Sequence, residues 1–337
     1  MILVTGATGL VGSHLIFDLV KKEEKVRALK RKNSDLIFVK ALFSSHPELF
    51  EKIEWMDGDV LDIFSLKEAL KGITKVFHCA AMVSFIPSEV EEMMKINING
   101  TANLVNLCLE NKIEKLCYVS SVAAINRINE DETIDENSQW KISKQNSNYS
   151  ISKYGAEREV WRGIAEGLNA VIVNPTIIFG PGNWKTGSTA MFPKIWKGLK
   201  FYTDGTTGFV DVRDVSKAMI LLMESEIHSE RFIINAENLN FKKIFDWTAE
   251  GLGKSKPYIY AYDWIRSIAW RGEALKSFLF NTKPFITKET ALAAHKKVYF
   301  SNEKIKKAIG MEFISVKKTI EETCKVFLKE KTNRGIK

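Results

Sequence analysis

The 337-residue sequence has only four cysteines, Cys79, Cys108, Cys117 and Cys324, and none stands in a CxxC or CxxH spacing. That excludes a disulfide framework or a thiolate metal site as an organising element. Cys79 and Cys117, in apolar strand-like runs, read as reduced core thiols. Histidine is also sparse, at 14, 46, 78, 228 and 295, without an HExxH or paired arrangement, so no metal is expected. No apolar stretch approaches the roughly 18 residues a membrane-spanning helix needs. Nothing resembling a charged n-region and apolar h-region precedes the strand-like run at 2–4, so cytoplasmic residence is expected. Internal repeats, low-complexity tracts and disordered linkers are missing as well.

What is present is globular composition, 45% hydrophobic and 27% charged. Lys plus Arg outnumber Asp plus Glu by 49 to 41, a formal +8 that could suggest nucleic acid or an anionic membrane. Position argues otherwise. The segment from Lys283 onward holds 14 basic and 6 acidic residues, the entire excess, and the preceding 282 residues balance at 35 of each. Most tail cations (Lys304, Lys306, Lys307, Lys317, Lys318, Lys325, Lys329) sit on helix-like stretches and read as a solvated face, and no nucleic-acid partner is expected.

The first 175 or so residues alternate β-branched runs at 2–5, 25–30, 53–56, 75–79, 115–120 and 170–174 with helical patterns at 10–20, 64–70, 90–109 and 149–166. This is the βαβ rhythm of a Rossmann-type, doubly wound parallel sheet, an α/β fold. After Pro175 glycines break the rhythm, and 210–224 and 231–235 read as a helix and strand returning to the main sheet. The expected organisation is a nucleotide-binding domain from 1–174 plus about 207–237, interleaved with a smaller substrate domain from about 175–206 plus 238–337.

TGATGLVG at 5–12 joins the first strand to the first helix, the context in which a glycine pattern is informative. Gly6 permits the tight turn, Gly9 lets backbone N–H groups approach a pyrophosphate, and Gly12 allows close helix-to-strand packing. Thr8 and Leu10 lie in the same loop and join the cofactor-binding candidates. An NAD-selective site wants a carboxylate about 20 residues further on, at the end of the second strand. Here no Asp or Glu lies between Glu24 and Asp35, and Lys30, Arg31 and Lys32 occupy that place. Three cations suit a 2′-phosphate, Arg31 best of all by its planar fork, so NADP is favoured over NAD.

YSISK at 149–153 opens a helix and places Tyr149 and Lys153 on one face, where a neighbouring cation favours the phenolate. With this motif the sequence resembles the extended short-chain dehydrogenase/reductase family over nearly its whole length. The other motifs are TGATGLVG, Gly58-Asp59-Val60, His78-Cys79-Ala80-Ala81, Asn97-Ile98-Asn99-Gly100-Thr101 and Ser120-Ser121. By that resemblance Asp59 and Val60 hold the adenine, Ala80 and Ala81 line the cofactor pocket, and Asn174 belongs to the cofactor site. Lys153 binds the nicotinamide ribose, Tyr149 exchanges the proton, and Ser121, or Ser120 one register step away, holds the substrate carbonyl. Asn97 is at least as readily structural as catalytic.

Departures from the family pattern narrow the choice. Ser121 is followed by Val122-Ala123 rather than the dehydratases' Asp-Glu pair, and Thr207-Gly208 replaces the Arg-Asp pair with which nucleotide-sugar epimerases anchor a diphosphate. The stretches at 26–31, 174–176, 179–182 and 209–215 are similar to the dihydroflavonol-reductase and 3β-hydroxysteroid-dehydrogenase branch. That implies an NADP(H)-dependent oxidoreductase interconverting a carbonyl and a secondary alcohol on a largely apolar or aromatic small molecule. A nucleotide-sugar epimerase and a non-catalytic NADP-binding regulator are the alternatives. A homodimer and peripheral membrane contact stay open as associations. The aromatic-rich stretch 258–285 could complete a small core, roof the nicotinamide, or touch a membrane.

Overall fold

A computed structural model describes residues 1–125, 133–143, 146–262, 270, 271, 287, 289 and 294–333. Its centre is a seven-stranded sheet of β1 (Ile2–Thr5), β2 (Val26–Lys30), β3 (Glu54–Asp57), β4 (Lys75–His78), β5 (Lys115–Val119), β6 (Ala170–Pro175) and β10 (Glu230–Ile234). All pairs are parallel, in the order β10-β6-β5-β4-β1-β2-β3. The chain direction across the sheet reverses between β1 and β4, and the crevice at their carboxyl ends is where such a fold takes a dinucleotide.

Helices cover both faces, which is why the strands read as unbroken apolar runs rather than alternating ones. In chain order they are α1 (Leu10–Lys21), α2 (Ile37–Leu42), α3 (Pro47–Phe50), α4 (Ile63–Ala69), α5 (Val90–Met94), α6 (Gly100–Glu110) and α7 (Asn148–Ala165). The helix expected over 90–109 is divided by a π-helical turn at Lys95–Asn99, which carries Asn97. One apolar layer includes Leu15, Leu19, Val215 and Met219; the other includes Leu66, Leu104 and Val160.

Beyond β6 the chain builds a second, smaller assembly. A three-stranded sheet joins β7 (Ile177–Phe179), β9 (Thr206–Asp211) and β11 (Glu237–Asn240), and β8 (Phe201–Tyr202) pairs with β12 (Ile259–Tyr260). Around these lie α8 (Met191–Trp196), α10 (Phe241–Gly251) and α12 (Val316–Asn333), while α9 (Val212–Glu224) and α11 (Glu303–Ile309) pack back against the main sheet. Phe179, Phe192, Phe209, Ile320 and Phe327 belong to the core of the smaller assembly. The helix expected from 210 begins at Val212, because Val210 and Asp211 finish β9, while the strand expected at 231–235 is β10, in the main sheet as anticipated and there beside β6.

Asp211 explains that shift. Its carboxylate caps α9 by accepting from the Arg213 amide at 2.8 Å, and it also takes the Thr319 hydroxyl of α12 at 2.7 Å. Arg213 bridges Asp211 and Glu322 at 2.6 and 2.7 Å, so the 209–215 motif fastens the C-terminal helix to α9. Among the described residues no helix is long and apolar enough to cross a membrane, and no group of three His, Cys, Asp or Glu is placed to hold a metal ion. Of the 258–285 aromatics, Tyr260 packs 5.7 Å from Tyr202 and 4.8 Å from Tyr262. Trp264, Phe278, Phe280 and Phe285 lie outside the described residues.

Candidate active site

The glycine loop sits at the sheet's reversal point. Gly6 adopts φ +65°, and a Cβ there would lie 2.6 Å from the Ala80 nitrogen, so β1 and β4 approach only because this residue is glycine. Gly12 is forced as strictly, since its Cβ would fall 2.2 Å from the Gly6 carbonyl oxygen. Gly9 is the N-cap of α1 and offers no side-chain cap, which leaves the first-turn N–H groups of a 12-residue helix for an external acceptor. An uncapped helix start behind an exposed glycine fits a pyrophosphate. Thr8 and Leu10 flank it half-buried, and Leu10 abuts Gly182, where a Cβ would be 2.9 Å from its Cδ1. One turn along α1, His14 hydrogen-bonds the Pro181 carbonyl at 3.1 Å; burial pushes its imidazole down to about 4, so it is neutral.

At the other end of the crevice Arg31, Lys32, Asn33, Gly58, Asp59 and Ser65 line an open cleft. Arg31 and Lys32 are exposed, but Lys30 forms an ion pair with Asp57, its register partner across β2 and β3. Of the three cations Lys30 is therefore already paired, which leaves Arg31 and Lys32 as the exposed ones. The Asp59 carboxylate accepts from the Leu61 amide at 2.9 Å, and its own amide donates to Ser65 at 3.1 Å. Val60 is buried against Gly100, Ala80 donates its amide to Thr5 at 3.3 Å, and Ala81 is exposed.

Beyond β5 the two serines part. Ser120 is buried and donates to Glu157 at 2.6 Å, whereas the Ser121 hydroxyl faces Tyr149 and accepts from the Ala123 amide at 3.1 Å. Ser147 caps α7, which begins just before Tyr149 and carries Lys153 one turn later. The buried Lys153 ammonium donates to the Val119 carbonyl at 2.8 Å and to the Tyr118 hydroxyl at 3.2 Å. Burial holds Tyr149 above the usual phenol range, with the Ser121 hydroxyl opposing. The expectation that Lys153 draws it down is therefore corrected: the ammonium is turned to β5, and burial wins. Burial also lowers Lys153 itself to about 8, against the pull of Glu157.

Asn97 acts as a clamp, accepting from the Met82 amide at 2.7 Å and donating to the Met82 carbonyl and Ser152, both at 2.9 Å. The loop it fixes carries Phe85, whose ring meets Tyr149 edge-on at 5.6 Å. Asn174 is fully buried and donates to the Ser121 carbonyl at 3.0 Å and Glu157 at 2.7 Å. Sequence reasoning missed Phe85, Tyr118, Glu157 and Arg231. Glu157 follows Lys153 at the same four-residue step that separates Lys153 from Tyr149, a signal that was available; Arg231 carried none.

A model described as the NAD dependent epimerase/dehydratase family matches residues 2–235. Cinnamoyl-CoA reductase 1 of Petunia hybrida is 29% identical over 96% of this chain and 91% of its own. Sterol demethylase protein B of Methylococcus capsulatus is 29% identical over 76% of this chain and 75% of its own. The crystal structure of gox2253 superposes with a TM-score of 0.80 at 31% identity over 98% of both chains. The glycine cradle, the serine–tyrosine–lysine group and these likenesses agree: the chain belongs to the NAD dependent epimerase/dehydratase family, the extended short-chain dehydrogenases/reductases, enzymes that bind a nicotinamide cofactor, and reductases of the cinnamoyl-CoA and dihydroflavonol kind are among its relatives.

Proposed function

We propose that the protein is an NADP(H)-dependent oxidoreductase that interconverts a carbonyl and a secondary alcohol on a largely apolar or aromatic small molecule. The observation that carries this reading is the hydroxyl pair of Ser121 and Tyr149, set side by side and walled by Phe85. When bound, the cofactor supplies or accepts the hydride. Gly6, Thr8, Gly9, Leu10 and Gly12 would cradle its pyrophosphate, Asp59, Val60, Ala80 and Ala81 its adenine side, and Arg31 a 2′-phosphate. Lys153 would hold the nicotinamide ribose, and Asn174 supports that end through Ser121. Ser121 and Tyr149 both donate hydrogen bonds to the substrate carbonyl oxygen, and Tyr149 gives its proton to the alkoxide that develops there. Burial keeps that proton on Tyr149 at neutral pH, which suits reduction; oxidation needs the phenolate and gains as pH rises.

Two features favour an apolar substrate over a sugar nucleotide. Cinnamoyl-CoA reductase 1 of Petunia hybrida, a relative named as a reductase, matches over 96% of this chain. Gly208, in place of an epimerase's acidic residue, is sealed, since a Cβ there would lie 2.4 Å from both Asn235 and Thr176. The test is NADPH oxidation against a panel of ketones, aldehydes and sugar nucleotides, with NADH in parallel. Turnover of an apolar ketone with NADPH is expected. Turnover of a UDP- or GDP-sugar, with none on any apolar ketone, would overturn the reading.

A further inference from the structure

Glu157 lies on α7 one turn beyond Lys153, is 2% exposed, and is surrounded by donors from two strands, the residue that follows a third, and its own helix. Ser120 after β5 and Asn174 of β6 reach one carboxylate oxygen at 2.6 and 2.7 Å. Trp161 of α7 and Arg231 of β10 reach the other, both at 3.2 Å. An acceptor-only carboxylate satisfies every one of these groups. Arg231 is anchored in turn, donating to the Glu136 carbonyl at 2.9 and 2.7 Å and to the Ser138 carbonyl at 3.0 Å.

We propose that Glu157, paired with Arg231, is a positioning residue for the reaction, fixing Ser121 against the Tyr149–Lys153 helix and holding the Lys153 ammonium charged. The mechanical half runs through Asn174, whose single amide nitrogen bridges Glu157 and the Ser121 carbonyl, so the helix and the end of β5 are spaced by one buried carboxylate. The electrostatic half follows from what else faces Lys153. From β4 come His78, pushed down to about 3 by burial, and Cys79, pushed up to about 12, so both are neutral near pH 7. From β5 comes Tyr118, held protonated by burial, and from α7 comes Tyr149, likewise raised. Among the described residues around it, Glu157 is the carboxylate that opposes desolvation of the ammonium.

The inference rests on Lys153 binding the nicotinamide ribose, so the readout is NADPH affinity against pH, measured by fluorescence titration without substrate. In the wild type, affinity should fall as pH rises through about 8, where Lys153 loses its proton. Glu157→Gln keeps the shape and removes the charge, and should move that midpoint down by about one pH unit, which is about tenfold weaker binding on the alkaline side. At about pH 6 the variant should bind within twofold of wild type. Arg231→Gln frees the carboxylate's field and should move the midpoint the other way. An unmoved midpoint in a folded Glu157→Gln protein overturns the proposal, and if that variant does not fold, an unmoved midpoint in Arg231→Gln does so. Loss of folding in both assigns the pair to stability alone and also overturns it. A wild type that does not bind NADPH would instead strike the cofactor reading.

Discussion

The two ends of the crevice are built on opposite terms. At the end proposed for the adenosine Arg31 and Lys32 are exposed, and Asp59 is half-buried with only local partners, the Leu61 amide and Ser65. At the reaction end Ser120, Lys153, Glu157, Asn174 and Asn97 are buried and share partners across strands, so no side chain moves alone. Exposed charges are screened and contribute little individually, whereas a buried network misses any lost member at full desolvation cost. The exposed end is therefore where cofactor preference can change without disturbing the fold, and the reaction end is where geometry is held.

The sharpest break in that contrast is Tyr149→Phe, which removes one hydroxyl from the reaction end and no cofactor contact of consequence. Turnover should fall by about 10³-fold or more while NADPH affinity stays within a few-fold. Steady-state kinetics beside a fluorescence titration separates the two, and a variant retaining a tenth of the wild-type rate would reject the general-acid role.

At the exposed end the corresponding change is Arg31→Ala. A charge-assisted contact to a 2′-phosphate accounts for roughly tenfold to a hundredfold in affinity, so NADPH should lose most of its advantage while NADH binding is unmoved. Because Lys30 is engaged with Asp57, Lys30→Ala should matter less to the preference than Arg31→Ala. Equal NADPH and NADH affinities in the unmutated protein would remove the basis for both.

The same contrast decides what was legible in the sequence. The strands of the main sheet, the helices read at 10–20, 64–70, 90–109 and 149–166, the glycine loop and the Tyr149–Lys153 step are local patterns, and each stands where its spacing placed it, with boundaries off by a residue or two, whereas the short α2 and α3 carried no such pattern. Groups that meet only through the sheet were not legible. A search between residues 24 and 35 finds no carboxylate, yet the parallel pairing of β2 with β3 sets Asp57 opposite Lys30. Likewise Arg231 reaches Glu157 from 74 residues away because β10 joins the sheet beside β6. The two serines differ for the same reason: only the positions of Glu157 and Tyr149 tell Ser120 from Ser121.

The smallest expected effect lies away from both ends, in two carboxylates of the 209–215 motif. Burial pushes Asp211 up, but the Arg213 side chain and amide, with Thr319, outweigh it and leave the acid below its usual range. Asp214 has burial against it and, among the described residues, only the Ile314 amide, at 2.8 Å, as a hydrogen-bond partner, so its carboxyl is raised to about 6. The signs are opposite. Asp211 contributes stability that is present above the unfolded value near 3.8 and is lost as pH falls through its folded value. Between 3.8 and about 6 the folded protein holds the Asp214 proton more tightly than the unfolded chain, so stability is lost as pH rises through that window and stays lost above it. Asp214→Asn keeps an oxygen for the Ile314 amide and discards the charge. It should raise the unfolding free energy at neutral pH by on the order of 1 kcal/mol, with the gain vanishing by about pH 4. Denaturant melts at the two pH values test this, and a gain of equal size at both, or a loss at neutral pH, would show that burial of the charge is not what Asp214 costs the fold.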